Sequence, residues 1–257
     1  MILQNREILV FAASGAISGE VARTFAREGA RVWLSARHAD TMHALAAQIE
    51  ASGGTAMTDI LDATDPAAVD AYVARVAEKA GHIDGVFNGI GGRPIELGYP
   101  EPTATTSFEH FMLPLQIVVG SQFLTARAAG THMVKQGSGA IVILSATLSV
   151  MTAPFMAGIS AANGAVEALT RSLAGEFGRA GVRVNCVRGS GMPETRTIQE
   201  TVSGLGAYGI TPSMSVPPLG RPISLVDTAG AAAFLASDLA SGMTGQVVTV
   251  CGGVFVG

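Results

Sequence analysis

The chain has 257 residues, 48% of them hydrophobic and 14% charged, with a formal net charge of -4 and a mean hydropathy of +0.40. Without a Lys/Arg cluster, this slightly acidic balance argues against nucleic acid or an anionic membrane surface as a partner and favours a small molecule or another subunit. No uninterrupted apolar run reaches the ~18 residues of a membrane span, so the hydrophobicity is assigned to buried parallel strands, and the steady pattern to one domain over 1–257. The start, Met1 to Glu7, has neither a basic leader nor an apolar signal core, which makes a cytoplasmic location the expectation.

Ile8 to Ala13 is β-like. Val21, Ala22, Phe25 and Ala26 then share one helical face before Gly29, and Arg31 to Ser35 is extended again, a βαβ unit. A helix over about 40–51 ends at Gly53-Gly54, and a strand follows near Thr55 to Leu61. Asp65-Pro66 supplies a cap and a first-turn proline for a helix carrying Val69, Val73 and Val76, closed by Gly81. Further strands are predicted at Ile83–Asn88, Ala140–Leu144, Val182–Val187 and Gln246–Val250, with helices near 108–134, 160–178 and 224–236. Strands alternating with helices imply an α/β fold with a parallel, doubly wound sheet, because parallel neighbours need a crossover. Ligands of such sheets bind beyond the carboxyl ends of the strands, here the loops after 11, 35, 61, 88, 145 and 187. The stretch 188–218 is the longest loop and reads as a partly helical lid or substrate segment. Cys186 and Cys251 fall in strand-like runs without metal-ligand spacing and read as reduced packing residues; no metal site is expected.

Phe87-Asn88-Gly89-Ile90-Gly91, the helix Ala165 to Ala174, Val182-Arg183-Val184-Asn185, and the C-terminal run Leu219 to Pro222, Phe234 to Asp238, Thr244-Gly245-Gln246 and Gly252-Gly253 resemble the short-chain dehydrogenase/reductase family in identity and spacing over nearly the whole chain. The resemblance implies a single Rossmann-like domain of about seven strands, NAD(P)-dependent oxidoreductase activity, and a tetramer built on the long fourth and fifth helices and the C-terminal edge.

The family's first turn reads Thr-Gly-x-x-x-Gly-x-Gly, with small residues where the backbone approaches a pyrophosphate at a helix N-terminus. Aligned from Glu28-Gly29-Ala30, its signature positions hold Phe11, Ala12, Ala16 and Ser18; a second alignment makes Gly15 the middle glycine and matches Ser18 to the enoyl-reductase branch. Ser14, Gly15, Ile17 and Ser18 are therefore the phosphate-side candidates, in a site either altered and retained or lost. After the second strand Ala36 stands where an acid would hold a ribose 2′-hydroxyl, and Arg37 follows it. Arg37 reads as a ligand for the 2′-phosphate of NADP(H) or as a solvated helix-leading residue. Asp62 reads as an adenine contact or the start of a capping turn. Asn88 and Gly89 fit the adenosine-side wall.

The resemblance also locates a Ser-Tyr-Lys-Asn set, in which a phenol moves the proton as hydride transfers and a lysine lowers its pKa. Those positions hold Ala146, Ile159 and Asn163, and the segment Pro114 to Val118 contains no asparagine, although about three extra residues blur the alignment there. Ser145 adjoins Ala146 on the opposite face of its strand. Ser160 is rotated ~100° from the tyrosine position, and Thr147 and Ser149 lie in the following loop. Tyr208 in the lid is the other weak catalytic candidate; His110, His132 and Glu194 are other titratable groups within reach of the presumed substrate cleft. The lysines, Lys79 and Lys135, are remote. Arg188 offers a new cation, for an anionic ligand or for Glu194. Two functions follow: an oxidoreductase working on a carbonyl, alcohol or related small molecule by a non-standard mechanism, or a silent subunit or ligand-binding scaffold that pairs with an active homologue.

Overall fold

The computed structural model describes residues 1–210 and 216–255; positions 211–215 of the expected lid lie outside the described residues. The strands β1 (Glu7–Phe11), β2 (Arg31–Ala36), β3 (Thr55–Ile60), β4 (Gly85–Asn88), β5 (Gly139–Ala146), β6 (Val182–Gly189) and β7 (Val247–Val250) form one sheet of order β3-β2-β1-β4-β5-β6-β7. Every neighbouring pair is parallel, as the alternating pattern requires. The helices are α1 (Ala16–Arg27), α2 (Ala39–Ala51), α3 (Pro66–Ala80), α4 (Phe108–Pro114), α5 (Gly120–Gln136), α6 (Ala157–Phe177), α7 (Arg196–Gly206) and α8 (Leu225–Ala236).

The central strands β1, β4 and β5 are buried on both faces, so they are largely apolar and their residues alternate between two cores. Ile8 and Val10 of β1 join α1, α2 and α8, while Leu9 and Phe11 join α3, α5 and α6. The local signals decide the helix ends. Asp65 accepts hydrogen bonds from the amides of Ala67 (2.9 Å) and Ala68 (3.2 Å), and Gly81 closes α3 at φ 82°, a left-handed conformation costly for any residue with a Cβ. Ser224 and Asp227 form a reciprocal capping box at the start of α8.

The helix predicted over 108–134 is broken in a way the sequence pattern did not show. Pro114 ends α4, and residues Leu115–Val119 form a π-helical turn before α5. Such a turn takes up an additional residue within a continuous helical path. The long loop resolves in part into α7.

Candidate functional site

The strand order reverses beside β1, whose neighbours are β2 and β4, and the loops leaving β1 and β4 therefore diverge and open a crevice. Ala12, at the end of β1, has φ 55°, a left-handed conformation that favours glycine. Gly15 is the N-cap of α1 and brings no capping side chain, and the first turn carries no acid. The opening amides of α1 thus lack side-chain partners, an anion-binding arrangement. Ser18, one turn in, is buried and its Oγ has no hydrogen-bond partner. Gly89, after β4, meets it: a Cβ there would stand 2.2 Å from Ser18 Oγ and 2.9 Å from the Phe87 ring. The crevice is closed at its base because both chains are small. Ile17 is half-buried, and Ser14 and Gly15 stand at the rim.

Arg37 follows β2, exposed and free of any carboxylate contact among the described residues. Asp62 is a turn residue in this structure: its Oδ1 accepts from Thr64 N (2.9 Å) and Thr64 Oγ1 (2.7 Å). Those two bonds hold its carboxyl below the usual range against a smaller effect of burial, with a further contribution from the charge of Arg37. Asn88 is buried and fully engaged, donating to Ser121 O and Thr125 Oγ1 and accepting from Ile90 N. It fixes the start of the loop that carries Gly89.

Across the sheet, α6 begins over the carboxyl end of β5. Ile159 is 6% exposed and packs with Leu97, Tyr99 and Met156, flanked by Leu113, Ile117, Leu148 and Ala153. Asn163, one turn on, accepts from Ala146 N at Oδ1 (2.7 Å) and donates to Ile159 O at Nδ2 (2.9 Å). Its amide ties the end of β5 to the first turn of α6. The Tyr99 hydroxyl, which no sequence pattern singles out, accepts from Gly158 N (3.2 Å). Gly158 has to be glycine, since a Cβ would lie 2.3 Å from that oxygen. Burial raises the Tyr99 pKa, opposed by the Gly158 amide.

Ser145 shares the face of Ile141 and Ile143 in β5 and so points toward α6, away from the face of Ala146. There it donates to Glu167 Oε1 (3.0 Å), which also accepts from Ser149 Oγ (2.5 Å) and Arg188 Nε (2.8 Å); Arg188 Nη2 reaches Glu167 Oε2 (2.7 Å). Arg188 Nη1 continues to Thr249 Oγ1 on β7 (3.0 Å). Of the two roles open to Arg188, the pairing with Glu194 does not form: Glu194 accepts from Leu225 N, at the start of α8. Arg188 shares a strand face with the α6 side, and a bidentate partner lies there. Burial raises the Glu167 pKa most, but the hydrogen bonds and charge of Arg188, together with Ser149 and Ser145, outweigh it and hold the carboxyl below its usual range. Burial pushes the Cys186 thiol, which donates to Ser145 Oγ, up to about 12; Cys186 and Cys251 are free and buried, as their strand-like settings suggested. The signal for Glu167 was legible, for it is spaced with Asn163, Val166 and Thr170 along one helical stripe.

Above this floor α7 is tied to the loop after β4 by a bidentate Arg93–Glu200 pair, and Arg196 Nε reaches the same carboxylate at 2.7 Å. Tyr208 lies beyond α7, 46% exposed, with its ring 4.8 Å from that of Phe155. His110 contacts Glu101 (3.4 Å) at the other side of Tyr99, Ser160 and His132 are half-buried, and Lys79 lines a cavity of about 430 Å³ at the β3 edge, remote from the cleft. No group of three potential metal ligands occurs among the described residues, and no described helix is long and apolar enough to cross a membrane.

The family model described as enoyl-(acyl carrier protein) reductase matches residues 12–255. The chain belongs to this family, among the short-chain dehydrogenases/reductases. It is 30% identical to the 7alpha-hydroxysteroid dehydrogenase of Clostridium sardiniense over 255 residues, covering 99% of this chain and 95% of the relative. Gluconate 5-dehydrogenase of Gluconobacter oxydans is 31% identical, with 99% and 96% covered. Among solved structures, a 7 alpha-hydroxysteroid dehydrogenase complexed with NADH and 7-oxo glycochenodeoxycholic acid superposes with a TM-score of 0.87 at 27% identity, over 98% of this chain and 94% of that one. A short-chain dehydrogenase/reductase fold with oxidoreductase ancestry is thereby established for the whole chain.

Proposed function

We propose that this chain is an NADP(H)-linked short-chain dehydrogenase/reductase that binds a small carbonyl or alcohol ligand without the family's tyrosine-lysine proton relay. The observation that carries the reading is the closure of the Asn163 amide onto Ile159 O and Ala146 N, beside an Ile159 side chain buried among apolar neighbours. Isoleucine has no proton to deliver, and a neutral amide supplies no ammonium field. Losing a general acid costs ~10²–10⁴-fold in rate.

The nucleotide end fits a dinucleotide. The uncapped N-terminus of α1, the unpartnered Ser18 Oγ and the missing side chain at Gly89 suit a pyrophosphate and the backbone close to it. A bound nicotinamide would supply hydride chemistry. In this reading Ser14, Gly15, Ile17 and Ser18 hold the phosphates, Asn88 and Gly89 shape the adenosine-side wall, Asp62 orients the adenine end through its Thr64 turn, and Arg37 binds the 2′-phosphate. The NADH complex of the hydroxysteroid dehydrogenase above supports a nicotinamide dinucleotide; the preference for NADP(H) rests on Ala36 and the unpaired Arg37.

Calorimetric titration with NADPH and NADH tests this directly. Tighter NADPH binding is expected, and Arg37→Ala should remove most of the preference, since a charge-assisted contact is worth ~1.5–3 kcal/mol. An unchanged NADPH-to-NADH ratio in Arg37→Ala rejects the assignment. On a panel of ketones and secondary alcohols the protein should show no detectable turnover, whereas the triple change Ala146→Ser, Ile159→Tyr, Asn163→Lys should introduce it. Robust turnover by the unchanged protein that is lost in Tyr208→Phe would move the acid role to Tyr208.

A second reading, a silent subunit in a homotetramer or in a hetero-oligomer with a related active chain, is supported by the exposed Val226, Phe234, Leu239 and Val254 of the C-terminal segment. A monomer at micromolar concentration in light scattering, with no partner present, would count against it.

A further inference from the structure

We infer that recognition in this cleft stops at the phosphorylated adenosine half of the nucleotide: the chain holds an adenosine 5′-diphosphate bearing a second phosphate on its ribose, whether or not a nicotinamide follows. This rests on the reading of the β1–β4 crevice as a nucleotide site and narrows what that site distinguishes.

Two anion seats lie side by side at one end of the crevice. β1 and β2 are parallel neighbours in register Phe11 to Ser35, and Ala13 N donates to Ser35 O (3.0 Å), so the loops that open α1 and α2 leave the sheet together. The first seat is the start of α1, where no side chain caps the amides and the buried Ser18 Oγ has no hydrogen-bond partner. A buried hydroxyl without a partner is costly, and a phosphate oxygen is an acceptor that takes its proton. The second seat is the start of α2. Its N-cap, His38, forms no side-chain cap, and Arg37 immediately before it is exposed. Asp62, the carboxylate whose charge reaches Arg37, spends Oδ1 on Thr64, and Asp40 in the first turn of α2 is exposed. A guanidinium beside a helix N-terminus suits a phosphate dianion. Two adjacent seats match two phosphates on one adenosine.

The other half of a dinucleotide lying across the crevice extends toward the carboxyl ends of β5 and β6. Side chains there already have partners. Ser145 and Ser149 donate to Glu167, and Asn163 spends both ends of its amide on backbone. After β6, Thr195 Oγ1 donates to Met192 O (2.7 Å). The arginines of this end are paired as well, Arg188 with Glu167, and Arg93 and Arg196 with Glu200. A ribose or carboxamide arriving here exchanges water for none of these groups, so it adds little to the affinity. Removing the nicotinamide, or changing its oxidation state, therefore leaves binding nearly as it was.

The test is calorimetry of the full chain with NADP⁺, NADPH, 2′-phospho-ADP-ribose and nicotinamide mononucleotide. The first three are expected to bind with dissociation constants within about threefold of one another, and the mononucleotide to give no heat of binding. Ser18→Ala should weaken NADPH and 2′-phospho-ADP-ribose alike, by about tenfold. It should also raise the melting temperature of the unliganded protein, because it removes a hydroxyl that has no partner until a phosphate arrives; a residue that served only the fold would move both readouts downward together. A loss of more than about tenfold on removing the nicotinamide, an equally large preference between NADP⁺ and NADPH, or an undiminished affinity in Ser18→Ala overturns the inference. The underlying reading is reported separately: tight NADPH with weak 2′-phospho-ADP-ribose rejects the inference alone, tight 2′-phospho-ADP-ribose without NADPH binding rejects the NADP(H) linkage alone, and silence toward every nucleotide rejects both.

Discussion

The two ends of this cleft treat their polar groups in opposite ways. Around the β1–β4 crevice they are left open: Ser18 Oγ has no partner, α1 begins without a capping side chain, and Arg37 extends into solvent unpaired among the described residues. Around α6 they are closed. Asn163 binds backbone at both ends, Ser145 and Ser149 converge on Glu167, and Arg188 is chelated by the same carboxylate. A polar group kept unsatisfied costs free energy, so a fold retains it where a ligand completes it; a group that finds an internal partner has become part of the scaffold. The comparison separates an open end, whose polar groups lack internal partners, from an α6 end turned toward packing.

If the α6 network is scaffold, breaking it should damage the fold far more than any change at the open end. Glu167→Leu leaves the 9% exposed Arg188 as an uncompensated charge and should cost about 3–5 kcal/mol. Urea denaturation checks this, and adding Arg188→Met should recover much of the loss, since burying hydrocarbon in place of an ion pair is often neutral. A single-variant loss below measurement error would show that the pair is idle.

The same carboxyl predicts an acid limb. Its folded pKa lies below the ordinary 4.5, so its stabilisation is complete above that value and fades as the pH falls through the lower, folded value. The acid unfolding profile of Glu167→Gln should be flatter below about pH 4.5 than that of the unchanged protein. Parallel profiles would assign the acid sensitivity to other groups.

At the open end the expected effects are smaller. Gly89→Ala should cost roughly 1–3 kcal/mol by overpacking against Ser18, and Ser18→Gly should relieve it, a coupling readable from a double-mutant cycle. Additive effects would mean that the two loops do not meet as described. Smallest of all, Asp65→Ala removes the cap of α3, remote from both ends of the cleft, and should lower stability by about 1 kcal/mol in thermal melts while NADPH affinity stays constant. A change in affinity would show that α3 bears on the nucleotide loop.

Local chemistry carried most of the fold. Short apolar runs separated by helical stripes, Asp65-Pro66, Gly81 and the glycines after the strands set the elements and their ends, since each acts through its own backbone or the next turn. The seven parallel strands follow from that alternation. The site was legible where a residue type alone is informative: Ile159 and Asn163 cannot move or assist a proton wherever they sit, and Arg37 is a cation after a strand.

Pairing was decided only by tertiary structure, because partners distant in sequence are chosen by strand order and face. Arg188 has Glu194 close by in the chain, but in β6 it shares a face with α6 and closes on Glu167. Asn163, placed by α6, closes on Ala146 N at the end of β5 seventeen residues away. The π-helical turn at 115–119, the Tyr99 hydroxyl on Gly158 and the left-handed Phe155 beneath Tyr208 have no counterpart in periodicity. The sequence by itself determined which groups exist and which elements carry them; the packing of α6 and α7 over the sheet decided which groups remain free to meet a ligand, since a polar atom's availability depends on every element that reaches it.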